Sequence, residues 1–140
     1  MNFALDSSFA LTWVLEDEAT VETDRVLDSL GEGTRALVPA LWRWEVANAL
    51  LSIERQKRAT RAAISSHLLF FRSLPIDIDG ASLDRVWDAT QLLAQRHLLT
   101  SYDAAYLELA LRRGVPLASL DQPLRAAAKA EDVPLLPEWH

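Results

Sequence analysis

The stretch that decides the fold is the first eight residues, Met1-Asn2-Phe3-Ala4-Leu5-Asp6-Ser7-Ser8. A short apolar run ends here on a carboxylate, which two hydroxyl side chains follow. The run is too short for a helix or for the apolar part of a signal peptide, so it predicts a buried strand. Asp6 then lies where the strand gives way to a helix, the place where open α/β sheets bind their ligands.

The rest of the chain alternates between short apolar runs and amphipathic segments. A second run that closes on a carboxylate is Pro116-Leu117-Ala118-Ser119-Leu120-Asp121. Further strands are predicted at 35–38, 75–79 and around 135–136. Helical periodicity or composition predicts helices over 7–15, 19–30, 40–58, 64–71, 81–97, 104–111 and 122–130. This alternation predicts a single domain over residues 1–140, an α/β fold with three α/β/α layers and a mainly parallel sheet.

Composition narrows the possible functions. The chain has no cysteine, which excludes disulfides, thiolate zinc sites and cysteine nucleophiles. No apolar run reaches the length of a membrane span, so we expect no membrane association and a cytoplasmic location. The net charge of −6 means that the protein as a whole does not attract a polyanion. Nucleic-acid binding would therefore need a local basic patch, a bound cation or a basic partner.

Four carboxylates can be placed at one end of the sheet. Asp6 and Asp121 end strands, Asp103 opens a helix, and Glu45 lies two turns into another. Four negative charges that share a small space are unfavourable unless some are protonated or a cation is bound. Oxygen ligands without histidine or cysteine suit Mg²⁺, and Mn²⁺ is possible.

Each of these acids also has a purely structural interpretation. An aspartate between strand and helix is most often a helix N-cap. Glu45 continues a polar stripe with Asn48, Ser52 and Arg55, which is typical of the solvent face of a helix. Spacing alone therefore permits an acidic site without establishing one.

The amino-acid sequences of four segments favour an acidic functional site. In order they are Leu5-Asp6-Ser7-Ser8, Trp44-Glu45-Val46-Ala47-Asn48-Ala49-Leu50, Leu99-Thr100-Ser101-Tyr102-Asp103-Ala104-Ala105-Tyr106-Leu107-Glu108-Leu109-Ala110 and Ala118-Ser119-Leu120-Asp121. Together they closely resemble the PIN-domain ribonucleases, in particular the VapC toxins of bacterial toxin–antitoxin pairs. The resemblance covers nearly the whole chain.

This resemblance implies a function and a set of site residues. The expected activity is that of an Mg²⁺-dependent endoribonuclease, which cleaves RNA phosphodiester bonds with metal-activated water and is neutralised by a cognate antitoxin. The catalytic and metal-binding acids would be Asp6, Glu45, Asp103 and Asp121, with Ser8 and Asn48 as polar neighbours. Because the chain is acidic, RNA contacts are expected from a few basic residues. These are Arg43, Arg55, Lys57, Arg58, Arg61 and Arg112.

Two helices carry more apolar residues than one buried face needs. Residues 41–53 are apolar around most of the helix, and Leu69 and Phe70 lie off the main apolar face of the next helix. This excess predicts a homodimer or higher oligomer and a hydrophobic groove for an antitoxin segment. Trp42 and Trp44 are assigned to these contacts, Trp13 and Trp87 to the core. His67, His97 and His140 have no partner at ligand spacing and are interpreted as structural.

Two alternative functions stay open at this point. A receiver or haloacid-dehalogenase-like phosphotransfer domain also places an aspartate after its first strand and binds Mg²⁺. The receiver would need a lysine after a late strand, and the dehalogenase-like domain an aspartate at position 8, where this chain has Ser8. The second alternative is a non-catalytic PIN-like protein-binding module, which would be expected to lack one or more of the acids.

Overall fold

The sheet has five short parallel strands. The structure is a computed structural model that describes residues 1–138. The strands are β1 (Phe3–Leu5), β2 (Ala36–Val38), β3 (Ile76–Ile78), β4 (Leu117–Ala118) and β5 (Leu135–Leu136). Their order across the sheet is β3-β2-β1-β4-β5, and every neighbouring pair is parallel. β1, β2 and β4 are fully buried, as the apolar runs predict for a parallel sheet covered on both faces.

Helices connect the strands and complete the layers. They are α1 (Ser7–Leu11), α2 (Val21–Leu30), α3 (Leu41–Arg55), α4 (Arg61–Ser73), α5 (Ala89–His97), α6 (Ser101–Arg113) and α7 (Gln122–Ala130), with a 3₁₀ helix at Gly80–Arg85. The predicted three-layer α/β/α fold with a mainly parallel sheet is confirmed.

Helix α6 is the central helix of the core. Its seven residues from 104 to 110 are all buried, so it contacts the sheet on one side and other helices on the other. The Thr100 hydroxyl caps its N-terminus by accepting a hydrogen bond from the Asp103 amide. Gly114 ends it in the left-handed conformation, with φ of 63°. These caps fix where Asp103 stands, in the first turn of a rigidly held helix.

The helix predicted over residues 81–97 is wrong as a single element. The structure has the 3₁₀ helix, then a turn, and α5 begins only at Ala89. Asp79 caps the first piece through the Ala81 amide, and Asp88 caps the second through the Ala89 amide. An aspartate that bonds nearby backbone amides competes with a continuous helix. Trp87 falls in the turn and is 93% exposed, so its assignment to the core is also wrong.

A buried ion-pair network joins α6 to the end of β3. The Arg112 guanidinium donates to both oxygens of Glu108, one turn earlier on α6, and to the Asp79 carboxylate. Burial opposes ionisation of Asp79, but the hydrogen bond and the charge of Arg112 hold its pKa below the ordinary value. Arg112 therefore stabilises the fold, which competes with its predicted role in RNA contact.

None of the helices within residues 1–138 combines the length and the apolar character that a membrane span would need.

Candidate active site

The strand order reverses between β1 and β4. Because β2 and β3 extend the sheet on one side of β1 and β5 on the other, a crevice opens at the carboxyl ends of these two strands. Asp6 follows β1 directly. Asp121 lies three residues after β4, where it caps α7. The sequence prediction that Asp121 ends its strand is thus slightly off, although both acids lie at the predicted edge.

Asp6 is held by two hydroxyls from different strand ends. It is 4% exposed, and its Oδ2 accepts hydrogen bonds from Ser8 Oγ at 2.7 Å and Ser119 Oγ at 2.8 Å. Burial is the main cause that raises the pKa of Asp6, the two hydroxyls lower it, and the charge of Asp121 raises it further. A buried carboxylate with a raised pKa gains most from a cation that offsets its charge.

Ser119 joins the two strands that form the crevice. Its hydroxyl donates to Asp6 and accepts from the Asp121 amide at 3.1 Å. Asp121 in turn accepts from the Leu124 amide at 2.9 Å, so it serves as the N-cap of α7. The structural interpretation of Asp121 is therefore correct, and it coexists with a place in the acidic site.

Glu45 lies on α3 and is hydrogen-bonded to a tyrosine of α6. Glu45 Oε1 accepts hydrogen bonds from the Tyr106 hydroxyl and, at 3.4 Å, from Ser7 Oγ. Burial is the main cause that raises the pKa of Glu45, the tyrosine lowers it, and the charges of Asp6 and Asp103 raise it again. Burial and the contact with Glu45 raise the pKa of Tyr106, so its hydroxyl remains a donor at neutral pH.

Asp103 completes the group from the first turn of α6. Its pKa is raised by burial first, then by the charges of Asp121 and Asp6. Each of the four predicted acids thus interacts electrostatically with at least two of the others. The structure brings together the acids that sequence reasoning selected.

The acids form a looser group than four ligands around one ion. Within the described chain, no three His, Cys, Asp or Glu side chains are close enough together to hold a metal ion directly. Their chemistry still fits Mg²⁺, because all donors are carboxylate oxygens that repel one another. Mg²⁺ keeps several water ligands and commonly binds proteins through one or two carboxylates. These residues therefore fit a hydrated cation.

The other predicted site residues are the two polar neighbours of the acids and the basic residues expected to contact RNA. Ser8 contacts Asp6, as its predicted place beside the site requires. Asn48 is exposed on α3, one turn beyond Glu45. Among the basic residues, Arg58 pairs with Asp17 and Arg61 with Glu54. Arg43, Arg55 and Lys57 are exposed and make no ion pair with residues 1–138.

Sequence reasoning missed three residues that contact the acids. Ser7, Ser119 and Tyr106 all donate to a carboxylate of the site. The signal for Tyr106 was its position among small and apolar residues of a buried helix, because a buried tyrosine hydroxyl needs a hydrogen-bond partner. For Ser119, the only sequence signal was that this polar residue follows a buried apolar run.

Comparison with known families decides the identity. The sequence profile described as PIN domain matches residues 3–130. The chain belongs to the PIN-domain family. PIN domains are generally nucleases and generally use divalent metal ions. A receiver domain is disfavoured by topology as well, since flavodoxin-like sheets have the order 2-1-3-4-5.

Solved structures of similar proteins support this fold. The Pyrobaculum aerophilum protein PAE2754 is 26% identical, with 91% of this chain and 87% of that chain covered and a TM-score of 0.67. VapBC2 from Rickettsia felis, bound to a DNA fragment from their promoter, is 12% identical over 96% and 97% of the chains, with a TM-score of 0.66. FitAcB from Neisseria gonorrhoeae is 17% identical over 99% of both chains, with a TM-score of 0.65. A search of curated proteins found no significant match.

Proposed function

We propose that this PIN domain is a VapC-type toxin, an Mg²⁺-dependent endoribonuclease of a single domain that acts in the cytoplasm. The observation that carries the proposal is the mutual electrostatic coupling of Asp6, Glu45, Asp103 and Asp121 at the crevice between β1 and β4. A non-catalytic module would have no need to keep four repelling carboxylates together. The presence of all four therefore favours catalysis over the alternative of a PIN-like binding module.

In the proposed mechanism, the protein supplies oxygen ligands and fixed positions. Mg²⁺, or Mn²⁺ in its place, would activate a water and stabilise charge on the phosphate. Asp6 would be its most firmly placed ligand, since Ser8 and Ser119 fix its carboxylate. Asp103 would bind from the N-terminus of α6, while Glu45 and Asp121 bind or orient the water. The arrangement predicts 5′-phosphate and 3′-hydroxyl ends.

The RNA would reach the acids over a surface on which few basic side chains lack an acidic partner. Arg43, Arg55 and Lys57 are exposed on or just beyond α3, the helix that carries Glu45. We propose Arg55 and Lys57 as the main phosphate contacts. Arg58, Arg61 and Arg112 contribute less because each already has an acidic partner. Arg43 also contributes less, because it lies about half a turn from Glu45 around α3 and lines a groove on that other side of the helix. Asn48, on the same face of α3 as Arg55, would contact the RNA or the hydrated cation.

The experiment that tests this function is incubation of the purified protein with total RNA, with Mg²⁺ or with EDTA, followed by mapping of the cut ends. We expect cuts at defined positions only when Mg²⁺ is present, with 5′-phosphate ends that accept direct adaptor ligation. Intact RNA at all Mg²⁺ concentrations, or cyclic phosphate ends, would contradict the proposal.

We also propose an antitoxin partner for the groove between α3, α4 and the β2–β3 edge. The groove has a volume of about 510 Å³ and is mostly apolar, with Arg43 and Arg72 among its lining residues. The indole N–H of Trp42 is buried in this wall without a hydrogen-bond partner among residues 1–138. An apolar segment with an acidic side chain would match the apolar lining and the two arginines of the groove. The family resemblance suggests that the segment comes from an antitoxin.

Charge in this groove is expected to block the antitoxin. Leu68 lines the groove and is 39% exposed, so Leu68→Glu should fold and weaken binding of the proposed antitoxin by about tenfold or more. Leu92→Glu is the matched control, because Leu92 is 60% exposed on α5 and outside the groove. Calorimetric titration of both variants measures the effect. Equal affinities would show that the antitoxin binds elsewhere.

The predicted homodimer is also a proposal. α3 packs more of its apolar residues inside the chain than the sequence suggested, and Trp42 is buried edge-on against Phe71. Trp44 and Leu69 remain 73% and 66% exposed and are the anchors that we assign to a second copy. We expect sedimentation as a dimer at micromolar concentration and as a monomer after Trp44→Lys. A monomeric wild type would contradict this assignment.

A further inference from the structure

The buried tyrosine of α6 has a role that the acids alone do not supply. We propose that Tyr106 is a positioning residue that holds Glu45 with one oxygen turned to the acidic crevice. The proposal rests on the metal-dependent function proposed above and deepens it. Tyr106 has 0% exposure, so it cannot contact RNA itself and must act through another side chain.

Geometry at Glu45 supports this role. Both donors that reach Glu45, the Tyr106 hydroxyl and Ser7 Oγ, bond to the same oxygen, Oε1. Among the described residues, Oε2 accepts no hydrogen bond and is left for water or a cation. Without these donors the half-buried glutamate could rotate freely about three side-chain bonds. A fixed carboxylate loses less freedom when it binds a cation, so it binds more tightly.

The position of Tyr106 also links two elements of the site. Tyr106 lies on α6, three residues after Asp103, whereas Glu45 is contributed by α3. The hydrogen bond therefore connects the helix that carries one acid with the helix that carries another. Its loss should disturb the relative placement of Glu45 and Asp103, while the buried ring of a phenylalanine would keep the packing of the core.

Tyr106→Phe tests this inference because it removes only the hydroxyl. We expect kcat for RNA cleavage to fall by about tenfold to a hundredfold, as for loss of a hydrogen bond to a charged group. The KM for RNA should stay within about threefold, since the residue does not contact RNA. Mn²⁺ binding, followed by the electron paramagnetic resonance of the free ion, should weaken by about tenfold. Tyr102→Phe is the matched control, because Tyr102 lies on the same helix and is 63% exposed.

A double-mutant cycle separates positioning from general structural support. In a Glu45→Ala background, Tyr106→Phe should cause no further loss of Mn²⁺ affinity, because the side chain that it positions is gone. An equal loss in both backgrounds would overturn the inference, and so would wild-type kcat and Mn²⁺ affinity in Tyr106→Phe. If Tyr106→Phe fails to fold, Ser7→Ala removes the longer donor to the same oxygen. It should shift both measurements in the same direction by a smaller factor, and unchanged values there would overturn the inference.

The same measurements distinguish this inference from the proposed function. A wild type that cleaves RNA while Tyr106→Phe cleaves equally well contradicts only the role of Tyr106. A wild type that binds Mn²⁺ but cleaves no RNA contradicts the ribonuclease proposal, and the Mn²⁺ affinities of the variants then decide the role of Tyr106. A wild type that does neither overturns both.

Discussion

Asp6→Asn is expected to reduce RNA cleavage by roughly a hundredfold or more while the protein stays folded. The amide keeps the size of the carboxylate but removes its charge, and with it the main ligand proposed for the cation. Folding should survive, because burial already disfavours the charged form of Asp6 and raises its pKa. The hydroxyls of Ser8 and Ser119 can rotate to accept hydrogen bonds from the amide. Steady-state cleavage of a labelled RNA and circular dichroism measure the two effects.

The same substitution at an exposed aspartate provides the control. Asp28 lies on α2 and is exposed, and it is not among the acids coupled at the crevice. Asp28→Asn has the same change of charge and should cleave RNA at the wild-type rate. Glu45→Gln and Asp121→Asn should also lose most activity. Wild-type cleavage by Asp6→Asn would remove Asp6 from the site and with it the assignment of the whole crevice.

The sequence predicts the sheet well because its signals are local. The strands at 3–5, 36–38 and 117–118 are short apolar runs, and the structure buries all three. Helix α7 was also predicted with its observed ends, since Asp121 and Pro123 mark its start. Parallel strands place their carboxyl ends at one edge of the sheet, so the strand ends alone predict the grouping of Asp6 with Asp121.

Contacts between distant residues could not be predicted in this way. The break in the helix at residues 86–88 depends on two capping aspartates, Asp79 and Asp88, that compete with a continuous apolar period. The pairing of Arg112 with Asp79 spans 33 residues and reflects the packing of α6 against the 3₁₀ helix that Asp79 caps. Tyr106 and Glu45 are 61 residues apart. Periodicity predicts that a tyrosine is buried, but only the three-dimensional structure shows which group its hydroxyl bonds.

Binding of Mg²⁺ should stabilise the protein, and Asp103→Asn should change that effect. Burial and the charges of Asp121 and Asp6 raise the pKa of Asp103 above its ordinary value of 3.8. Because the pKa of Asp103 is higher in the folded than in the unfolded protein, its carboxyl group favours folding below pH 3.8. This contribution is lost as the pH rises through the pKa of the folded protein. Above that pKa, without metal, the repulsion opposes folding. Removing the charge should raise the melting temperature of the metal-free protein, by an amount that grows as the pH rises from 3.8 to neutral.

Mg²⁺ offsets this repulsion only in the folded state. At a hundredfold excess over its Kd, a ligand that binds only the native protein contributes about 2.7 kcal/mol. For a domain of this size that corresponds to a rise in melting temperature of roughly 5–10 °C in the wild type. Asp103→Asn removes one proposed ligand. The rise in melting temperature that Mg²⁺ causes in this variant should therefore be less than about half of the rise in the wild type. Calorimetry with and without Mg²⁺ measures both quantities on the same samples.

Asp24→Asn is the matched control for Asp103→Asn. Both aspartates lie in the first turn of a helix, where a negative charge is favourable by about 0.5 kcal/mol, and both substitutions lose that contribution. Asp24 is exposed on α2 and has no acidic partner in the crevice, so Asp24→Asn should slightly lower the melting temperature and leave the Mg²⁺ shift unchanged. Opposite signs for the two metal-free variants would show that repulsion outweighs the helix dipole at Asp103. Identical Mg²⁺ shifts in the wild type, Asp24→Asn and Asp103→Asn would rule out a cation shared by Asp103 and the other acids, even though the fold is that of a PIN domain.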